Sequence, residues 1–364
     1  MDKKTIWIRA AMLLMVIMLS LTACGGGDGK QQPPEETPTQ TPSEEPTLPT
    51  QAPVTFSAPY TGLPHEVEPV NRPIAVMVNN FSAARPQSGL TNADVVWEVL
   101  AEGGITRLIA IFQSTDALTD TIGPIRSNRP YLIDVADSYK AVMSHAGASP
   151  EGYGILQKQK KPYLDEISNA GPYYWRSKDR KAPHNLYSNL EKLREGAAKR
   201  GYDNDKPQIA YTFTEAGSVA SDPLAKTAEQ LSFIFTLKNY KVGYQYDAST
   251  SVYKRTINGE PHIDKNNDQQ LSATNLIIFE TAHKTLDNEG RLSVDLTKGG
   301  KALLFQKGKV MEAEWVRASD GMLRWVKDGK ELELIPGKTF IHIVPSKASL
   351  LDHITIEQSS EQTS

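Results

Sequence analysis

One cysteine in 364 residues sets the first limit on this chain. It stands at position 24, behind a charged start (Lys3, Lys4, Arg9) and a run from Ala10 to Leu19 that is mostly Ala, Met, Leu, Ile and Val. A lone thiol makes no intramolecular disulfide, so whatever folds here is held by buried apolar surface instead. The chain beyond residue 23 is long enough for about two domains, at roughly 100–200 residues each. It is ample for buried cores.

Leu21-Thr22-Ala23-Cys24 closes the apolar run with small residues directly before the thiol. This resembles the bacterial lipobox, in which the cysteine sulfur receives a diacylglycerol and the chain is cut before it. The run is too short to span a bilayer and reads as a removed signal over residues 1–23. Several acyl chains on one residue, palmitate among them, give a stable anchor where one chain binds marginally. The expectation is a lipidated Cys24 on the extracytoplasmic face of a bacterial cell membrane.

Residues 24–64 read as a tether. Gly25 to Gly29 is almost all glycine, and Gln31 to Pro53 is rich in Pro, Thr, Glu and Gln. Such a stretch buries too little surface to offset its ordering entropy. As extended polyproline II, at about 3.1 Å per residue, it reaches on the order of 75 Å from the bilayer. The formal charge of −3 is concentrated near this end, in Asp28, Glu35, Glu36, Glu44 and Glu45. The remaining body is close to neutral and presents no bulk basic field, so no nucleic-acid partner is expected.

From residue 65 to 205 strands and helices alternate. Pro73 to Val78 reads as a buried strand. Asp94 to Ala101 alternates, with Val95, Trp97 and Val99 on one face and Val96, Glu98 and Leu100 on the other. Gly103-Gly104 then turns it into a second strand over Thr106–Gln113. Ser127–Tyr139 reads as a helix, Ala141–Ser144 as a short strand, and Ser188-x-x-Glu191 as a capping box opening a further helix. Residues 206–230 form a connector. From 231 to 346 the runs are short and β-like (233–237, 242–246, 252–257, 276–280, 302–306, 310–316, 323–326, 340–344), with Asn258-Gly259 and Asp328-Gly329 as hairpin turns. Residues 347–364 read as a polar tail. The fold class is α+β: a mixed α/β N-terminal domain followed by a mostly β C-terminal domain.

Several long motifs carry a family resemblance. They are Asn71–Asn80, Ala84–Leu90, Glu98–Arg107, Ile122–Ser127, His145–Ser149, Trp175-Arg176 and Arg180–Tyr187. Pro261–Asp264, Trp315 and Pro336–Thr339 match more loosely. Together they resemble the YerB-type bacterial lipoprotein family over roughly residues 65–345. The resemblance implies an exported, lipid-anchored protein of two adjacent domains. It brings no biochemical activity with it.

The chemistry-bearing residues gather in the first region. Arg85, Arg107, Arg126, Arg129, Arg176 and Arg180 are candidate ligand-binding cations, because guanidinium groups recognise carboxylate or phosphate bidentately. Glu98 and Glu102 are their candidate acidic partners. His145 and His184 are the candidate acid/base pair, with Ser127, Ser144 or Ser149 as nucleophile. No G-x-S-x-G, S-x-x-K or H-E-x-x-H motif supports that catalytic alternative. The spacing Asp264-x-Asn266-x-Asp268-x-Gln270 opens like a calcium loop, but Gln269 stands where the turn wants Gly and Asn275 where a Glu should close it. It reads as a polar hairpin loop; neither a metal nor a cofactor is expected. Tyr173, Tyr174 and Trp175 beside Arg176 read as core plus a cation–π contact, with sugar stacking as the other option. The preferred reading is a lipid-anchored binding or accessory factor of the cell envelope, recognising an anionic wall component, a wall glycan or another envelope protein. The alternative is a hydrolase of a wall polymer or phosphodiester using His145 and His184.

Overall fold

The computed structural model describes residues 55–204 and 209–357. Cys24, the signal and most of the expected tether lie outside them.

The prolines and apolar run near residue 74 give a strand buried on both faces, β1 (Ile74–Asn79). β2 (Val95–Leu100) and β3 (Thr106–Phe112) form the expected antiparallel hairpin. Gly103 and Gly104 at its turn both take positive φ, which glycine adopts without steric cost. β4 (Val142–His145) and β5 (Tyr163–Asp165) add in parallel beside β1. Helices α1 (Pro130–Ser138), α2 (Pro150–Lys158) and α3 (Leu190–Lys199) complete this part. Two expectations shift here. α1 starts at Pro130 rather than Ser127, since the backbone before it is bonded to the 147–148 loop (Asn128 N to Gly147 O, 2.8 Å). α3 is capped by Asn189, whose Oδ1 accepts from Lys192 N at 2.9 Å, and not by Ser188, whose hydroxyl donates to Tyr173 O.

The remainder is almost all strand: β6 (Gln230–Ile234), β7 (Lys241–Asp247), β8 (Val252–Ile257), β9 (Asn275–Thr281), β10 (Gly300–Gln306), β11 (Lys309–Arg317), β12 (Leu323–Lys327), β13 (Thr339–Pro345) and β14 (Ile354–Glu357). The fold is α+β, with its helices in the first part and a mostly β second part.

Strands from the two parts are not segregated. One large sheet runs β12-β11-β10-β9-β13-β2-β3-β1-β4-β5, with the short strand Lys330–Glu331 beyond β12. β13, near the C-terminus, pairs in parallel with β9 on one side and with β2 on the other. A smaller sheet, β8-β7-β6-β14, packs over one face. Between the sheets lie Val76, Val96, Leu108, Phe233, Tyr244, Ile278 and Phe340. The opposite face of the large sheet, with Met77, Trp97, Ile109 and Ile341, packs under α1 and against Trp315 and Trp325.

Two boundaries differ from expectation. The folded body begins before residue 65: Phe56–Ser57 pairs with Pro64–His65, and Tyr60 is buried against Tyr139 and Tyr211. The aromatic and apolar residues of this segment outweigh its tether-like flanks. The expected polar tail also contains β14, whose Ile354 and Ile356 pack on the core edge beside β6.

Candidate functional site

Arg107, Arg126 and Arg129 come together where β3, the 122–129 loop and the start of α1 meet. An open cleft of about 500 Å³ is lined by Glu102, Arg126, Ser127, Arg129, Gly147 and Ser149 among others, and the C-terminal part adds Glu289 and Arg291. Arg107 is buried; it donates to Ser127 O at 2.8 Å, and its Nε has no partner. Burial, with Arg129 adding to it, pushes its guanidinium down to about 10. Arg129 pairs with Glu102. Arg176 holds Glu166 and the Asn185 side chain, each at 3.1 Å. Arg126 makes no side-chain hydrogen bond or ion pair among the described residues. Burial lowers its pKa, and Arg129 and Arg176 lower it further against the opposing pull of Glu102.

The cleft loop is shaped by Asp165, at the end of β5. Its carboxylate accepts from Gly147 N (2.6 Å), the Tyr153 hydroxyl (2.8 Å) and the Ser168 hydroxyl (2.7 Å). Gly147 has φ +75°, a conformation costly for any side chain-bearing residue. Ser149 caps α2, its Oγ accepting from Gly152 N.

The two histidines have no bonding partner in common. His145 is fully buried, with Nδ1 donating to Gly147 O (3.0 Å), its ring stacked on Tyr163 and its Nε2 unpartnered. Burial pushes it down to about 4 against the pull of Asp165. His184 lies nearer the surface, stacked on Phe81, with Nδ1 held by the Asn79 amide at 2.8 Å. Burial lowers its pKa, and the charges of Arg126 and Arg180 add to that effect. The paired acid/base expectation therefore finds a sealed ring and a separate surface ring. Ser144 is committed to the Tyr174 hydroxyl, inside the core.

Three other expected cleft residues sit elsewhere. Arg180 clamps the backbone carbonyls of Ala84 (2.5 Å) and Pro86 (2.6 Å). Arg85 lies over the Tyr240 ring, 5.3 Å from its centroid. Glu98 is not a partner of the cleft arginines. It is fully buried between the sheets, where its Oε2 meets Arg255 at 2.8 Å and His342 Nδ1 at 3.1 Å. Its Oε1 accepts from the Tyr240 hydroxyl (2.6 Å), Thr106 (2.7 Å) and the Asn80 amide (3.1 Å). Arg255 Nε donates to His262 Nδ1, and His262 Nε2 donates to Gln87 Oε1 at 2.7 Å. Burial alone would raise the Glu98 carboxyl; Arg255, His342 and Tyr240 together hold it below the ordinary glutamate range. Asp264 fills a structural role as well, capping Gly89 N (3.0 Å) and Thr91 N (2.8 Å).

Sequence reasoning missed Arg255, His262 and His342. The signal was available in phase: Arg255 falls on the inward face of β8 with Tyr253 and Ile257, and His342 on the inward face of β13 with Phe340 and Val344.

Residues 60–203 match the family model "Protein of unknown function (DUF3048) N-terminal domain", and residues 231–341 match its C-terminal counterpart. The chain is 36% identical over 293 residues to the protein named "Putative lipoprotein YerB" of Bacillus subtilis (strain 168), covering 80% of this chain and 86% of that one. It is also similar to the crystal structure of YerB protein from Bacillus subtilis, with a TM-score of 0.75 at 35% identity, over 83% of this chain and all of that one.

Proposed function

The chain belongs to the DUF3048 family, and on that footing we propose that it is a lipid-anchored extracytoplasmic accessory protein that captures an anion in the Arg126 cleft. The anchor is a diacylglycerol on Cys24, and the body stands outside the cell membrane. The similarity to a lipoprotein supports this, as does the position of the one cysteine behind a basic and apolar leader. Among the described residues no helix is long and apolar enough to cross a membrane.

One observation carries the binding reading. Arg126 is half-buried, has no carboxylate of its own, and sits within the field of Arg129 and Arg176. A desolvated cation among like charges is costly until an anion joins it. A planar guanidinium suits a phosphate or carboxylate group. Buried Arg107, with its free Nε, adds positive potential from behind. His145 supplies no exposed proton-transfer group to this cleft, and the binding role needs none.

The test is calorimetric titration of the full-length protein with inorganic pyrophosphate at low salt. Binding is expected, weakening with added salt, and at least about tenfold weaker in Arg126→Ala, the loss of roughly one charge-assisted hydrogen bond. Arg180→Ala, which breaks a loop clamp outside the cleft, should weaken it less. No heat from the wild-type protein up to millimolar pyrophosphate would remove this reading.

A further inference from the structure

Resting on that reading of the cleft, we infer that its ligand is an anionic saccharide, whose charged group meets Arg126 while a sugar ring lies on Phe81. Phe81 has no part in the core and is 41% exposed. A single side chain fixes it. Asn79 Oδ1 accepts from Phe81 N at 3.0 Å, and Asn79 Nδ2 donates to His184 Nδ1 at 2.8 Å. The two rings form an offset stack, with centroids 5.4 Å apart and planes 15° from parallel. Asn79 is itself buried.

That arrangement fixes the chemistry on offer. Because His184 Nδ1 accepts, the neutral ring carries its proton on Nε2, and among the described residues nothing in the protein accepts it. Burial and the charges of Arg126 and Arg180 keep the ring neutral. The backbone brings Arg126 beside these rings: Asn79 N donates to Pro124 O at 2.8 Å, Arg126 N to Met77 O at 2.8 Å, and Ile125 N to Leu186 O at 2.7 Å. An apolar face, an unpartnered N–H donor and an unpaired guanidinium are thus carried on neighbouring segments. The C–H face of a sugar ring covers the phenyl, a ring hydroxyl takes the imidazole proton, and a phosphate or carboxylate substituent takes the guanidinium. His184 lies offset against one face of Phe81, so a ligand ring has the rest of the exposed phenyl as a platform. A site on the outer face of a cell membrane also meets saccharides sooner than nucleotides. The near-neutral body agrees, since it offers no basic track for a polyanionic strand.

Calorimetry on the full-length protein separates this inference from the one beneath it. The probes are N-acetylglucosamine 1-phosphate, glucuronate, neutral N-acetylglucosamine, inorganic phosphate and adenosine monophosphate. The sugar phosphate should bind about fivefold to tenfold tighter than inorganic phosphate, the gain of one stacked ring. Phe81→Ala should erase that gain and leave phosphate affinity as it was; Phe81→Trp should restore it. Arg126→Ala should weaken phosphate and sugar phosphate alike. If phosphate binds and the sugar adds nothing, or if Phe81→Ala leaves the gain in place, the saccharide inference is overturned and the anion cleft survives. If adenosine monophosphate binds tighter than the sugar phosphate, the platform reads a base and the inference is equally overturned. If no anionic probe binds, both fall together. Glucuronate against the sugar phosphate tells carboxylate from phosphate as the charged group.

Discussion

At the residue scale the molecule holds two kinds of charge. Glu98 and Arg255 are both sealed from water, and each keeps its charge because the other is there. Tyr240, Thr106, Asn80 and His262 around them each have a donor or acceptor role, which helps make a buried ion pair tolerable. Arg126 is the contrary case, a cation whose surroundings make its charge harder to keep. His145 gives a pH signature. Its folded pKa is pushed down to about 4, while an unfolded histidine titrates near 6.5. Between those values the unfolded chain takes a proton that the folded chain refuses, so stability falls as pH falls. His145→Asn keeps a donor for Gly147 O and does not titrate. Urea denaturation of both proteins should therefore show wild type losing about 2 kcal/mol more than the variant between about pH 7 and about pH 5. Equal losses would mean that the ring charges freely in the folded state. Arginines beside Gly and Pro recur along the loops, which is why they stand out in the sequence. Which of them meet was not legible. Arg85 and Arg180 serve the 84–86 loop, and Glu98 serves the inter-sheet core, since side-chain type says nothing of which facing strand will supply a partner.

At the scale of elements, most strands were legible from alternation and turn chemistry. Asn258-Gly259 and Asp328-Gly329 both carry positive φ at two successive residues, the backbone that a tight hairpin needs. The expected capping box failed for a tertiary reason: Ser188 bridges Ile122 and bonds Tyr173, so the cap moved one residue on to Asn189. That difference is measurable. Asn189→Ala should cost about 1 kcal/mol in urea denaturation, the usual worth of an N-cap. Glu191→Ala should stay within about 0.5 kcal/mol, as an exposed site with no capping bond. The reverse ranking would restore the capping box. The strands at 56–65 and β14 escaped notice because each is short and flanked by polar or proline-rich sequence. Their place is fixed by neighbours far along the chain.

At the scale of the whole molecule, pairing partners were the least legible feature. Periodicity finds a strand but does not say that β13 will lie between β9 and β2. The family models leave residues 204–230 between their two matches, yet the hydrogen-bond ladder crosses that division. Separately expressed fragments 53–204 and 205–364 should therefore stay unfolded or aggregate, the first with one edge of β2 open and the second without β2 beside β13. Mixed from denaturant, they should recover the far-ultraviolet signal of the intact protein; two soluble, cooperatively melting fragments would contradict this. The position of β13 also bears on the order of events in folding. Residues 339–345 fill the middle of the sheet, between a strand from before the family division and one from after it. The two flanks share no seam until this segment docks, so closing the sheet waits on contacts far apart along the chain.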